Sequence, residues 1–307
     1  MRLKENNIEF VCPICWGTDF SYKFSWKDYR YHTNKDKIYD IIECNYCKLE
    51  CIYPQPSIEE QQSFYPICYY SYVEINKTKL SKFKKIISNI GSIAASLFNH
   101  KKLNLPSKKG NWKNFLDIGC GAWENLNFMK SKWWNVKWFE IWDKIEYKNN
   151  IYYWPSITEI NFFEKYDYIW CHHVFEHVYN PTEFLKKCDY ILNDDWIMVV
   201  NLPNVKSFSS KVYWKYAVDR DIPRHIFWYN YQNIQTLFKN SWFEIVYKNY
   251  QQNYWWLSSF SRYIYDKYNK NISNNLFFKG VFMLFDIVLS LFKPTNSMWF
   301  VLKKGKK

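Results

Sequence analysis

Glycine is the first thing this sequence lacks: there are 7 glycines in 307 residues, against 17 tryptophans. An ordinary globular chain carries about 7% glycine, and turns with positive φ draw on it because other residues clash there. The two residue types together occupy 24 positions, close to an ordinary glycine share. Many written tryptophans therefore read as glycines, as happens when a UGA codon that means glycine in the cell is translated as tryptophan. Trp16, Trp123, Trp133, Trp138, Trp196 and Trp242 stand at turn-like places where glycine is expected, whereas Trp134 reads as genuine.

Other absences narrow the class. Met1 to Phe10 is polar and has no apolar leader core, so the chain reads as cytoplasmic. No stretch is a clean transmembrane helix. The nearest, Leu276 to Phe292, is interrupted by Lys279 and Asp286. It reads either as core helix or as an interfacial helix resting the protein on the inner membrane face. Nine cysteines without an export signal point to a reducing compartment, where paired cysteines more often bind metal than form disulfides. The net charge of +13 fits a nucleic-acid surface. It fits better the solvated lysine surface of a chain also rich in Asn, Ile, Tyr and Phe, so nucleic acid is the less favoured partner.

What is present divides the chain into three parts. Residues 1–70 carry two CxxC pairs. Residues 71–112 form a basic, helix-leaning connector, amphipathic over Lys79 to Leu97. Residues 113–307 alternate apolar strands with helices, the pattern of a parallel sheet with crossovers, and a helical insertion over 250–295 precedes a last strand near Met298 to Leu302. Strands are expected at 114–118, 136–141, 151–153, 166–170, 197–201 and 243–247, with helices at 181–192 and 233–240.

Cys12-Pro-Ile-Cys15 and Cys44-Asn-Tyr-Cys47 have the spacing of two knuckles. Each turn aims two thiolates at one tetrahedral ion, and two knuckles close the four-sulfur site of a structural Zn2+. Neither pair opens a helix of a thioredoxin-like unit, which argues against redox use. Cys51 and Cys68 show no pairing pattern.

Leu116-Asp117-Ile-Gly119-Cys120-Gly121-Ala-Trp123-Glu-Asn-Leu126 runs from an apolar strand through a glycine-rich bend into a helix. Such a bend points main-chain N–H groups at a ligand. A carboxylate at Asp117 repels a pyrophosphate and suits a cation. Glu140, ending the next strand, is placed to receive ribose hydroxyls. This stretch resembles the first motif of the class I S-adenosylmethionine (SAM)-dependent methyltransferases, which reads LDxGCGxGxxL. The resemblance implies a Rossmann-like α/β sheet. It implies that Asp117, Gly119, Cys120 and Gly121 contact the methionine end of SAM, that Glu140 holds the ribose, and that Cys171 and His172 flank the cofactor. Trp123 departs from the motif where its third glycine stands.

On the substrate side, Cys171-His172-His173-Val-Phe-Glu176-His177-Val178 leaves a strand and precedes Asn180-Pro181. His173-x-x-Glu176-His177 spells an inverted zincin motif, but that motif needs one continuous helix, and this segment begins as a strand exit. It resembles the VLEHV stretch of methyltransferases that include those of ubiquinone biosynthesis; Glu176 and His177 read equally as residues that orient the loop by hydrogen bonds and, with His173, as candidates for substrate contact or proton transfer. The resemblance leaves a metal role open, because His173 stands where some relatives carry an acid. Asp221-Ile-Pro223-Arg224-His225 resembles the PRH stretch of zinc-module methyltransferases. Arg224 is expected to grip an anionic substrate, and His225 to take a proton.

The layout as a whole resembles bacterial zinc-ribbon methyltransferases of cell-surface glycan and small-molecule pathways. It implies SAM-dependent methylation of a small-molecule, sugar or lipid-linked glycan acceptor. The rivals are an RNA methyltransferase gripping RNA through the zinc module and, if Trp123 is real, a scaffold without catalysis.

Overall fold

A computed structural model describes residues 10–31, 37–65, 109–119, 124–140, 152–153, 164–251, 256–272, 275, 277–278, 280–282 and 296–306. The connector helix over Lys79 to Leu97, residues Cys120 to Trp123, and most of the apolar stretch Leu276 to Phe292 lie outside them.

Seven strands form the main sheet: β4 (Asn114–Ile118), β5 (Asn135–Glu140), β6 (Tyr152–Tyr153), β7 (Tyr166–His172), β8 (Leu192–Pro203), β10 (Phe243–Gln251) and β11 (Ser297–Lys304). Their order is β10-β11-β8-β7-β4-β5-β6. β6, β5, β4, β7 and β8 run parallel to one another, whereas β11 lies antiparallel to both β8 and β10. This is the Rossmann-like α/β sheet that the sequence led us to expect. Its strand order reverses at β4, and ligands of open α/β sheets bind at such a switch point, beyond the carboxyl ends of the strands.

Helices α2 (Glu124–Ser131), α3 (Pro181–Ile191) and α5 (Tyr231–Asn240) follow β4, β7 and β9. α3 starts where the sequence signals it: Asn180 Oδ1 accepts from Glu183 N, and Pro181 opens the first turn. α5 begins with a reciprocal cap between Asn230 and Asn233. Period-2 alternation splits β4 between two cores. Leu116 and Ile118 join the larger cluster with Phe175, Phe184 and Met198, and Phe115 joins Leu126, Met129, Trp134 and Trp170 on the other face.

The N-terminal part is a second sheet, β1 (Phe20–Trp26), β2 (Tyr39–Cys44), β3 (Glu50–Tyr53) and β9 (Phe227–Trp228), in the order β1-β2-β3-β9. Its last strand comes from the segment after Arg224, so the module is completed by the larger domain. Helix α1 (Ile58–Ser63) follows β3, α4 (Phe208–Tyr213) follows β8, and α6 (Trp256–Tyr268) follows β10. α6 packs on the segment before Arg224: the Val218 N–H donates to Ser259 Oγ at 3.0 Å, and Tyr216 OH donates to Asp266 at 2.8 Å.

Ten described non-glycine residues have positive φ, and five of them are tryptophan: Trp16 (61°), Trp112 (64°), Trp133 (63°), Trp214 (47°) and Trp242 (62°). A β-carbon is strained in this region, and an indole gains nothing there. Trp214, at φ 47° and ψ −114°, lies near the first central position of a type II′ turn, which glycine dominates. Trp16, Trp133 and Trp242 are positions where glycine was expected; Trp112 and Trp214 were not. Trp138 and Trp196 lie inside β5 and β8. They were placed at turn glycines, and their extended backbone asks for none. β8 begins earlier than expected because Asn193 to Trp196 continue the strand instead of turning.

Candidate SAM-binding and metal centres

The four module cysteines meet as their spacing predicts. Cys12 Sγ lies 3.4 Å from Cys47 Sγ, and Cys15 Sγ lies 3.5 Å from Cys44 Sγ. One sulfur from each lies within 4.8 Å of all the others. A Zn–S bond of about 2.3 Å sets tetrahedral edges of roughly 3.8 Å, so the set fits one zinc ion. The knuckles are built alike. Trp16 N donates to Cys12 O and Lys48 N donates to Cys44 O, both at 3.0 Å. The residue after each second cysteine, Trp16 or Lys48, has φ 61°. The Cys12–Cys47 contact pulls the Cys12 thiol well down and pushes Cys47 up, and a cation among the four relieves that sharing of protons.

At the switch point, β4 delivers Asp117, 1% exposed, to the carboxyl end of the sheet's centre. Glu140 ends the neighbouring parallel strand β5, in register with β4 through Ile118 and Phe139. The two acids therefore stand at adjacent strand ends on one edge. Gly119 follows with φ 73°, and its N–H donates to Phe139 O at 2.7 Å. A β-carbon at Gly119 would lie 2.1 Å from Val174 Cγ2, so both the dihedral and the close approach demand glycine. Cys120 and Gly121 lie outside the described residues. A buried carboxylate and a left-handed glycine thus stand together at this strand end, the groups that the methionine end of SAM would need there.

β7 carries the next two expected residues. Cys171 is 1% exposed and pairs with Ile118, and it belongs to the core cluster. His172 ends β7 with its ring 5.1 Å from that of Trp299, and burial holds its imidazole well below the usual range. The chain then turns sharply at His173, φ 54°, into a short 3-10 helix over Phe175–His177. No continuous α-helix carries His173 and His177, as the inverted zincin motif requires.

Glu176 is 1% exposed, and burial raises its carboxyl to about 7. Its Oε1 lies 3.1 Å from His173 Nδ1 and 3.8 Å from His225 Nε2. Burial lowers His173 to about 4 and His225 well below its usual value. The rings of His177 and His225 meet at 4.8 Å, nearly perpendicular. His173, Glu176 and His177 from the β7 exit and His225 from a distant segment thus form one cluster beside the glycine bend.

Arg224 has a different task from the one its motif suggested. It is wholly buried, and each of its five N–H groups meets an acceptor. Nε and Nη2 reach Asp221 at 3.0 and 3.1 Å, Nη1 and Nη2 reach Asp28 at 3.0 and 2.8 Å, and Nη1 reaches Phe64 O at 3.2 Å. No donor remains for an anionic substrate. Burial alone would raise the Asp221 carboxyl, but Arg224, Arg30 and Arg262 hold it well below its usual range. Asp28 belongs to the module and Asp221 to the larger domain, so Arg224 pins the two together. The sequence did not single out Asp28; a buried acid paired across 196 residues leaves no local signal.

The chain matches the family model described as a methyltransferase domain over residues 90–248. Among solved structures it is similar to a SAM dependent methyltransferase from Archaeoglobus fulgidus, at 16% identity over 73% of this chain and 97% of that one, TM-score 0.44. It is also similar to the cyclopropane synthase MmaA2 from Mycobacterium tuberculosis, at 15% identity over 82% and 100%, TM-score 0.43. Coclaurine N-methyltransferase is a further similar fold, at 13% identity over 76% and 74%, TM-score 0.39. No curated protein matches the chain. With its switch-point glycine bend and a family model covering more than half its length, the chain belongs to the methyltransferase domain family.

Proposed function

We propose that this protein transfers a methyl group from SAM to a small-molecule, sugar or lipid-linked glycan acceptor. One observation supports this above the rest: buried Asp117 and left-handed Gly119 stand together at the carboxyl end of β4, where the strand order reverses. Asp117 attracts the charged end of the donor, and the Glu140 position serves its ribose. SAM supplies an electrophilic methyl group on a sulfonium, a good leaving group. The protein's part is alignment and exclusion of water, with Glu176 and its histidines on the acceptor side. Trp123 is read as glycine, since an indole at the motif's third glycine position would enter the donor's space. The four-cysteine module is read as a zinc-bound scaffold for the acceptor-side segment, because β9 joins its sheet immediately after His225 and Ile226.

The test is methyl transfer from labelled SAM by the Trp123→Gly chain, screened against sugar, nucleotide-sugar, phenol and RNA acceptors. Label passing to a small acceptor and lost in the Asp117→Asn variant supports the reading. Label on RNA alone would move the assignment to the rival class, and no transfer to any acceptor would leave a scaffold.

A further inference from the structure

The acceptor-side cluster holds more acceptors than donors. His177 Nδ1 lies 2.8 Å from Arg224 O and 2.9 Å from Tyr65 OH, and His225 Nδ1 lies 2.9 Å from Asp219 O. A main-chain carbonyl can only accept, so each Nδ1 carries the proton. Each ring therefore keeps Nε2 as its bare nitrogen. The bare Nε2 of His225 faces Glu176 Oε1 at 3.8 Å. That is too long for a hydrogen bond, and two lone-pair atoms facing one another in a dry site repel. Glu176 Oε2 is buried and has no hydrogen-bond partner. One ligand atom from each of Glu176, His177 and His225 lies within 4.8 Å of the others. Ligands about 2.0–2.2 Å from one ion stand roughly 3–4 Å apart, so a small closure brings the three onto a common centre.

We infer that Glu176, His177 and His225 form a second metal site, for a divalent transition ion such as zinc, separate from the four-cysteine centre. Two imidazoles and one carboxylate suit such an ion and leave coordination positions open. The surroundings have the supports a metal site needs. Both histidines are oriented by main-chain carbonyls, and His173 Nδ1 reaches the carboxylate at 3.1 Å, as outer partners do in metal centres. His173 is thus a positioning residue rather than a ligand. The local HxxEH pattern points to the wrong first histidine. His225 comes from the far side of α3 and β8 and takes its place. The site lies on the sheet edge that carries Gly119, because Val174 packs against that glycine two residues before Glu176. Any part such an ion plays in catalysis rests on the methyltransferase reading. Its binding does not.

The test counts metal in the full-length chain, equilibrated with zinc and desalted without chelator. Two zinc ions per chain are expected. His177→Gln, at the cluster's more accessible histidine, and His225→Gln should each leave one, with affinity for the second ion weakened at least about a hundredfold. Substituting cobalt reads the sites separately without any variant: the four-thiolate centre gives intense sulfur charge-transfer bands, and the second site adds only weak visible bands. One zinc per chain at saturation, with the thiolate bands intact, would overturn the inference. So would a second ion retained by both histidine variants. SAM calorimetry on the same samples tells the two proposals apart, since donor binding without a second ion sinks only the metal site.

Discussion

Replacing Trp16, Trp112, Trp133, Trp214 and Trp242 together by glycine stabilises the fold. Each holds a backbone of positive φ, which costs a residue with a β-carbon about 1–2 kcal/mol. Glycine gives back roughly 0.5–1 kcal/mol of that through the freedom of its unfolded chain. The net is about 0.5–1 kcal/mol at each site, or about 2.5–5 kcal/mol for the five. The indoles offset little of this, being 45–68% exposed. Trp112 and Trp133 stack at 6.4 Å and contribute a small coupled term. The gain is a large share of the roughly 5–15 kcal/mol that separates a folded domain from its unfolded chain. Urea unfolding followed by far-ultraviolet circular dichroism measures it, since fluorescence changes with the tryptophan count. Trp134→Gly is the contrasting control. That ring is 6% exposed and packs edge-on to Phe115 and Tyr168 at 6.1 Å, so its loss costs about 3–5 kcal/mol. A five-glycine chain no more stable than the parent would refute the backbone argument, as would a Trp134→Gly chain that gains stability.

Four further outcomes follow from the same geometry. Arg224→Met leaves Asp28 and Asp221 buried without their main partner and lowers stability by about 3–5 kcal/mol, measured by thermal unfolding of the full chain. Cys44→Ser removes one ligand of the four-sulfur centre; metal analysis should find one zinc fewer, and proteolysis should cut the module first. Burial pushes Asp219 up to about 7 against the pull of its hydrogen bonds from Ser210, Ser209 and Ser207. A folded-state value above the ordinary 3.8 means the native state binds the proton more tightly. Its contribution is therefore full below about pH 4 and is lost as pH rises through about 7; Asp219→Asn should flatten the melting temperature against pH across that window. Asp117→Asn removes a charged partner of the donor worth about 1.5–3 kcal/mol, about ten- to a hundredfold in SAM affinity, read by calorimetry.

Local patterns were the legible part of this chain. Alternating apolar runs placed the parallel strands to within a few residues, because buried strands need continuous apolar side chains. Two CxxC pairs announced their centre, since the knuckle turn is written into four residues. The glycine bend and its acid could be read because one short segment contains both. What stayed hidden depends on distant segments meeting. β9 enters the module sheet as only two residues, too short to show a pattern. Arg224 looked like an anion grip because its partners, Asp28 and Asp221, become partners only once the module docks. His225 and Glu176 are 49 positions apart in the sequence, and only the fold brings them to one place. The tryptophans at 112 and 214 escaped notice because their neighbours carry no turn signature, whereas their dihedrals speak plainly. The localisation expected from the sequence meets one fact: among the described residues no helix is long and apolar enough to cross a membrane.

Calorimetry of SAM against the Trp123→Gly chain tests the central claim most directly. The account predicts saturable binding at one site per chain, weakened at least about tenfold by Asp117→Asn. No heat of binding from a folded, zinc-loaded chain, or equal affinity with and without the Asp117 carboxylate, would contradict it.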